Sequence, residues 1–491
     1  MTTTYDALPY EDYAHPEAHP DHLAAVAWMF GHPAVPPGRA RVLEIGCATG
    51  GHLLPMAEAL PEATWVGVDL SPAQIAAASA TRDALGLHNV ALHALSFTDL
   101  DDRFRGFDYV ICHGVFSWVP EALQGALLAA VRRCLGPEGV AFVSFNAQPG
   151  WCVGERVRDF LRMHGGAELA PAVRVERARV ALGLLCAAEV AGGSAVSQAL
   201  RAEARRARDA DPSYLFHEYL EADNHPMYLR EFVAAAEAAG LRHLGDARLP
   251  RNSLAALSAA DPLGLEQTAD FLQGRRFRAA LLVGEERPPA RMPDPAVCAA
   301  LRWSTGFALA ADADAASLGR REGLDFWDGA RTVTLSEPLA KCALVVLAEA
   351  EGSPVLLGEV CDAVAERLGA PGLRGQGAWF AEQIGLVGMA LEGVVVPHAM
   401  GPRYVRAAGL RPVAAGYARW QAARGAVVTT RRHTQVTLDG FCRDVIGLLD
   451  GSRDRGEVCA ELGAVWGGGG GLALRCEEAL ELLARNALLC G

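Results

Sequence analysis

With 491 residues, 51% of them hydrophobic and 21% charged, the chain has the composition of a globular protein of about three domains. Its formal net charge of -13 argues against nucleic acid as a partner, because phosphate binding draws on clustered positive charge, and leaves basic protein or small molecules open. No apolar run approaches the ~20 residues of a membrane span, the start Met1-Thr2-Thr3-Thr4 has no secretion signal, and the 12 cysteines include no Cys-x-x-Cys pair. A cytoplasmic protein with reduced thiols and no metal is expected.

Residues 1–38 are rich in aromatic residues and proline, among them Tyr10, Tyr13, His15, His19 and Pro20. They read as an arm that closes over a site and excludes water, ending in a helix over 21–30 with Leu23, Val26 and Ala27 on one face. Next, Arg41-Val42-Leu43-Glu44-Ile45-Gly46-Cys47-Ala48-Thr49-Gly50 reads as a buried strand entering a glycine-rich turn that opens a helix. Trp65-Val66-Gly67-Val68-Asp69 reads as a parallel neighbour ending in a carboxylate. Further strands are expected over 92–97, 107–114 and 139–146. Such alternation of strand and helix requires a parallel sheet covered on both faces, with a ligand crevice at the carboxyl ends of the strands.

The charges select the ligand. A dinucleotide's pyrophosphate wants a Gly-x-Gly-x-x-Gly turn, whereas here Glu44 stands two residues before Gly46, where it would repel a pyrophosphate. It would attract the ammonium and sulfonium of S-adenosylmethionine (AdoMet), and Asp69, an acceptor-only group, would take both ribose hydroxyls. The cofactor residues expected are Glu44, Gly46, Cys47, Gly50, Asp69, Leu70, Ser96, Phe97 and His113, with Tyr13 from the arm. The fold class is then α/β: a class I AdoMet-dependent methyltransferase with a Rossmann-like seven-stranded sheet, a helical insertion and a mainly helical, winged-helix-like C-terminal part.

In chain order, residues 1–150 form the AdoMet-binding core and 151–213 an alanine- and arginine-rich helical insertion. Residues 214–287 complete the sheet, with a helix over 228–239 and strands over 241–249 and 277–283, the last antiparallel. A proline-rich linker over 287–295 leads to a middle winged-helix-like domain, 296–400. It is expected to hold a strand over 331–335, helices over 338–349, 356–368 and 379–392, and a strand over 394–396. A second winged-helix-like domain, 401–491, has a helix over 441–450 and a glycine tract, Gly467 to Gly471, read as a wing tip or hinge.

Several segments resemble one family: His113-Gly114-Val115-Phe116-Ser117-Trp118-Val119-Pro120, Ser144-Phe145-Asn146-Ala147-Gln148-Pro149-Gly150-Trp151, Phe216-His217-Glu218-Tyr219-Leu220 and Leu448-Leu449-Asp450-Gly451-Ser452-Arg453-Asp454. Over nearly its whole length the chain is similar to bacterial methyltransferases with a methyltransferase regulatory domain, a group that includes rickettsial protein-lysine methyltransferases acting on outer-membrane proteins. That resemblance implies an AdoMet-binding domain, a helical dimerisation domain and hence a homodimer, and middle and C-terminal domains around an open cleft. The sequence departs from the family at Cys47-Ala48-Thr49, where relatives often have Cys-Gly-Asp, and at Ala147-Gln148.

Methyl transfer from a sulfonium is an in-line displacement that needs a positioned nucleophile with a free lone pair. For a lysine amine of unperturbed pKa about 10.4, the neutral form must be delivered by a base or by desolvation against aromatic groups. The residues expected at the acceptor are His113, Phe116, Trp118, Asn146 and Trp151, with Tyr10 from the arm. His113 as a base stands beside His113 as a cofactor-lining group, and Phe116 and Trp118 also suit a core. Lys341 is the only lysine, which a biased genome explains and which would also keep a lysine-modifying enzyme from methylating itself. The expected function is methylation of protein lysine. A small-molecule N- or O-methyltransferase and a non-catalytic AdoMet sensor are the alternatives.

Overall fold

A computed structural model describes residues 7–8, 13–164, 166, 168–187, 193–249, 261–284, 293–310, 317–467, 469 and 471–490. Seven strands form one sheet: β1 (Arg41–Ile45), β2 (Thr64–Asp69), β3 (Val90–Ala94), β4 (Phe107–Cys112), β5 (Leu135–Asn146), β6 (Leu241–Asp246) and β7 (Phe277–Gly284). Their order is β3-β2-β1-β4-β5-β7-β6, with β1 to β5 parallel and β7 antiparallel to both neighbours. Side chains alternate between faces along each strand. Val42, Tyr109, Ile111, Phe142 and Leu281 enter one core, while Leu43, Val110, Ala141, Val143 and Leu282 enter the other. Both faces of these strands are therefore apolar, which is what the continuous Val/Ile/Leu runs demanded.

Local chemistry sets the element ends. The helix Pro72–Leu85 starts where the Ser71 side chain accepts from the Gln74 amide, and stops at Gly86 in the left-handed region. Strand β3 is shorter than expected because Ser96 caps a 3-10 turn, Phe97–Asp99. Strand β6 ends at Asp246 rather than running to 249, since the Asp246 carboxylate turns the chain by accepting from the Arg248 amide at 2.9 Å. The helix before β1 is Pro20–Met29.

Between β5 and β6 lie the helices Cys152–His164, Pro171–Ala187, Ala195–Asp209 and Pro212–Tyr219, with a core of their own around Val157, Leu161, Leu182, Ala204 and Phe216. Glu203 ties this bundle to the sheet. It accepts from Tyr219 Oη at 2.6 Å and from Arg276 Nη1 at 2.5 Å, and these hydrogen bonds outweigh burial and hold its carboxyl at about 2.

In the middle region β8 (Arg302–Ser304) lies between β12 (Val355–Leu356) and β13 (Val396–His398), beside a meander of β9 (Ala308–Leu309), β10 (Leu324–Trp327) and β11 (Thr332–Leu335). The helices Pro338–Glu349 and Leu357–Arg367 match the pattern read from sequence. The helix expected over 379–392 is instead two helices, Gly377–Gln383 and Leu386–Leu391, divided at Gly385 with φ of +63°. The strand expected over 394–396 is shifted to β13, and most of the proline-rich linker lies outside the described residues. The apolar core on the Val42 face continues without a break through the helix Pro20–Met29 into Trp303, Leu344, Val364 and Val395, so the sheet and middle region share one interior.

The C-terminal part packs the helices Gly416–Ala422, Gly440–Leu448, Arg455–Trp466 and Leu472–Arg485 with a hairpin of β14 (Val427–Thr429) and β15 (Gln435–Thr437). The glycine tract is not a wing tip. It joins two helices, and the hairpin is the wing-like element.

Candidate functional site: a glycine turn, two carboxylates and a histidine cluster

Where β1 ends, the chain turns back on β2: the amides of Gly46 and Cys47 both donate to Val68 O, at 2.8 and 3.1 Å. Gly46 has φ of +79°, and a Cβ there would lie 2.4 Å from Val115 Cγ2. Gly50, at φ +82°, would meet Leu54 at 2.9 Å, so both positions require glycine. Ala48 is held at φ +46° by Asp69, whose Oδ2 accepts from the Ala48 amide at 3.0 Å while Oδ1 accepts from Ser71 N at 2.9 Å. Asp69 thus pins the turn to the end of β2.

Glu44 lies beneath this turn and is 4% exposed. Burial, and secondly the Glu44 charge, push the Cys112 thiol up to about 12, which leaves it un-ionised at neutral pH. Beyond Asp69, Leu70 is 63% exposed, and Phe97 is half-buried against the other sheet face. Ser96 is engaged locally, its Oγ accepting from Thr98 N at 3.2 Å.

These groups fit AdoMet. The turn carries no side chains at Gly46 and Gly50, a carboxylate stands near the end of β1 and another ends β2, and an exposed leucine suits an adenine face. A carboxylate accepts up to about four bonds, which suits Asp69 to a ribose diol as well as to the turn.

At the end of β4, His113 is half-buried and stacks on His15 of the arm, with ring centroids 3.6 Å apart at 20°. Phe142 and Phe277 lie 5.8 and 5.7 Å away. Burial, then the neighbouring His15, hold His113 well below the usual histidine range, so it is neutral at pH 7 and a poor proton acceptor. His113 is thus a neutral aromatic group at the end of β4. His15, Glu17 and His113 bring ligand-type atoms within 4.8 Å of one another. Stacked rings direct their lone pairs in parallel, however, and Glu17 is held by Arg248 at 2.6 Å, so the trio is not shaped to chelate.

The structure does not bring the other sequence candidates together. Phe116 is fully buried on the opposite face, edge-on to Phe232 at 5.2 Å and Phe145 at 6.3 Å, because the 3-10 turn Phe116–Trp118 tucks it under the helix Leu229–Ala238. Trp151 is buried under the Arg276 guanidinium, 4.7 Å from its ring, at the junction with the helical bundle. Neither reaches the crevice. Trp118 is half-buried with Arg158 at 5.8 Å over its ring. Asn146 is buried at the end of β5, its amide donating to Ser117 Oγ at 2.8 Å and its side chain to Asn224 Oδ1 at 2.9 Å. Tyr13 is half-buried in the arm, and Tyr10 lies outside the described residues.

Sequence reasoning missed four contributors. Asn224 presents a buried side-chain nitrogen without a partner beside Asn146. His15 and Glu17 meet His113. His52, two residues after Gly50, accepts at Nδ1 from the His15 amide at 3.2 Å and pairs with His433 Nε2 at 2.7 Å. A histidine in an irregular proline-rich arm has no periodic signature, though the density of His15, His19 and His22 was a signal of a kind.

The sheet order and the glycine turn with its two strand-end carboxylates define a class I methyltransferase. The "Methyltransferase domain" family model matches residues 43–141, "Predicted methyltransferase regulatory domain" 211–284, and "PKMT, C-terminal winged helix domain" 411–469. The chain belongs to the bacterial AdoMet-dependent methyltransferases that carry this regulatory domain. Two uncharacterized proteins of Rickettsia prowazekii are similar to it. One is 36% identical over 57% of this chain and 52% of its own length, the other 32% identical over 48% of this chain and 94% of its own. The chain thus spans about half the length of the first. The structure of PKMT2 from Rickettsia typhi is 25% identical, covers 98% of this chain and superposes with a TM-score of 0.85; its complex with AdoHcy gives 0.86.

Proposed function

We propose that the enzyme transfers the AdoMet methyl group to lysine side-chain nitrogens of another protein. The observation that carries this reading is the correspondence of 98% of the chain, with its sheet, bundle, middle and C-terminal parts, to rickettsial PKMT2. A second observation agrees with it. Lys341, the only lysine, is 0% exposed, and its Nζ donates to Ser317 O, Arg320 O and Glu322 O at 2.9, 2.7 and 2.7 Å, so the enzyme offers no lysine of its own to the site.

AdoMet, when bound, supplies an electrophilic methyl on a sulfonium. This chain's residues do the rest. The turn Gly46–Gly50 and Asp69 fix the donor, and His113 with Phe142 and Phe277 makes a neutral aromatic wall against which an amine is desolvated. With His113 held neutral and weakly basic, desolvation rather than a protein base favours the free amine, so the rate should rise with pH toward the amine's pKa. The exposed apolar residues Val173, Val180 and Leu184 on the helix Pro171–Ala187 suit the bundle to pairing with a second copy.

The test is incubation with methyl-labelled AdoMet and a bacterial lysate, followed by mass spectrometry. Label on lysine nitrogen of protein is expected. Label on oxygen, or on a metabolite with no protein modified, rejects the reading.

A further inference from the structure

A cleft of about 380 Å³ lies between the arm, the exit of β6, the strand β13 and the C-terminal part. Its volume is in the range of ligand sites. Leu60, Val396, Pro397 and Met400 give it apolar walls. Glu17, which lines the cleft, also stands in the trio with His15 and His113, so the cleft opens next to the place where a methyl acceptor must arrive.

The charges around the cleft do not cancel. Its carboxylates are engaged within the protein: Glu17 accepts from Arg248 at 2.6 Å, and Asp21 accepts from His398 Nδ1 at 2.9 Å and from the amides of Met400 and Gly401 at 2.6 and 3.0 Å. Among the cations, Arg248 is thereby paired, and Arg432 lies 4.9 Å from the Tyr404 ring and donates to its hydroxyl. His19 and His22 are buried neutral groups, held low chiefly by burial. Arg403 and Arg431 remain. Arg431 Nε donates to the backbone oxygen of Arg403 at 3.3 Å, and among the described residues neither guanidinium has a carboxylate partner. In a chain of net charge -13, Arg403 and Arg431, with Arg432 held on Tyr404 beside them, give this ligand-sized cleft a local reversal of sign.

We propose that this cleft takes an extended segment of polypeptide and that Arg403 and Arg431 select acidic side chains on it. The identity of the segment as substrate rests on the function proposed above. A guanidinium binds a carboxylate through two parallel donors, which gives direction as well as affinity. A dispersed polyanion is disfavoured by the field of the whole acidic chain, whereas a carboxylate presented beside a lysine is not.

The experiment uses the full chain and a fluorescein-labelled, lysine-free peptide of alanine in which two glutamates flank one arginine standing in for lysine, compared by anisotropy with the same peptide carrying glutamine for glutamate. The glutamate peptide should bind about tenfold more tightly. Arg403→Ala with Arg431→Ala should abolish that difference, and Arg403→Glu with Arg431→Glu should reverse it toward a lysine-rich peptide. AdoMet affinity measured by calorimetry should stay unchanged and reports an intact fold. Equal binding of the two peptides, or a glutamate preference that survives in the double alanine variant, overturns the proposal. Because the probe has no lysine, oxygen methylation in the labelling experiment would sink the lysine reading and leave this one standing.

Discussion

Asp69 joins two functions in one side chain. Its oxygens accept from Ala48 N and Ser71 N, shaping the turn, and the same carboxylate is the acceptor expected for a ribose diol. Charge-assisted bonds contribute roughly 1.5–3 kcal/mol each, so Asp69→Ala should weaken AdoMet binding by at least about tenfold in calorimetry. Asn at this position keeps one acceptor and should fall between. A second effect at this scale concerns pH. His15, His19, His52, His113 and His433 are all held below the ordinary histidine value, chiefly by burial, with His19 at about 4. A histidine that is neutral when folded takes up its proton more readily when unfolded. Stability is therefore full above about pH 6.5 and is lost as pH falls below it, down to each folded value. The melting temperature should drop between pH 7 and pH 5; a flat profile would mean that the rings are not buried as a cluster. Of these residues only His113 could be placed at the site from sequence, because it ends a strand with a readable apolar pattern. The others depend on where an irregular arm and a distant hairpin come to rest.

The short helix Leu53–Ala59, which follows the glycine turn, is gripped at both ends by the C-terminal part. At its start His52 meets His433, which sits at φ +59° in the turn between β14 and β15. At its end Glu58 accepts from the amides of Gly416 and Tyr417, at 2.6 and 3.1 Å, and caps the helix Gly416–Ala422. The His15 amide can only donate, so His52 Nδ1 is the acceptor and its proton resides on Nε2; this assignment follows from the network. His433 must then donate through Nε2. Removing it frees the start of the helix that carries the turn, and His433→Ala should weaken AdoMet binding by about three- to tenfold although His433 lies in another module. His433→Gln, which can still donate, should restore most of it, and an unchanged affinity for the alanine variant would show that the hairpin does not support the turn. At the scale of elements the alternating part of the chain was legible, since its inner strands are apolar on both faces and the helix Glu121–Cys134 is amphipathic. The middle region was less so: β8, β9 and β12 are two or three residues long, too short for a periodic signal, and the break at Gly385 interrupts an otherwise continuous apolar run.

At the scale of the whole molecule, sequence divides the chain at the proline-rich stretch, but the packing does not. One continuous interior holds Val42 and Phe142 of the sheet, Leu23 and Val26 of the helix Pro20–Met29, and Trp303, Leu344 and Val395 of the middle region. The arm is tied in as well, through His22 Nε2 on Ala247 O at 2.6 Å and Asp21 on His398 at 2.9 Å. Composition marks where a chain bends away from regular structure and carries no record of which apolar faces later meet, so a linker is readable where a shared core is not. The consequence bears on truncation. A fragment of residues 1–285 would keep every strand of the sheet but would expose the face now covered by Trp303, Leu344 and Val395, and it would lose both grips on the helix Leu53–Ala59. At roughly 25 cal/mol per Å² of apolar surface, a side chain such as Leu344 or Val395 contributes about 1.5–3 kcal/mol by its burial, and several are lost together against a total stability of about 5–15 kcal/mol. The fragment should therefore express as aggregate or bind AdoMet far more weakly than the full chain, and co-expression with residues 290–491 should restore both solubility and binding. A soluble monomeric fragment with full AdoMet affinity by calorimetry would show that the shared interior is dispensable and that the sheet stands alone.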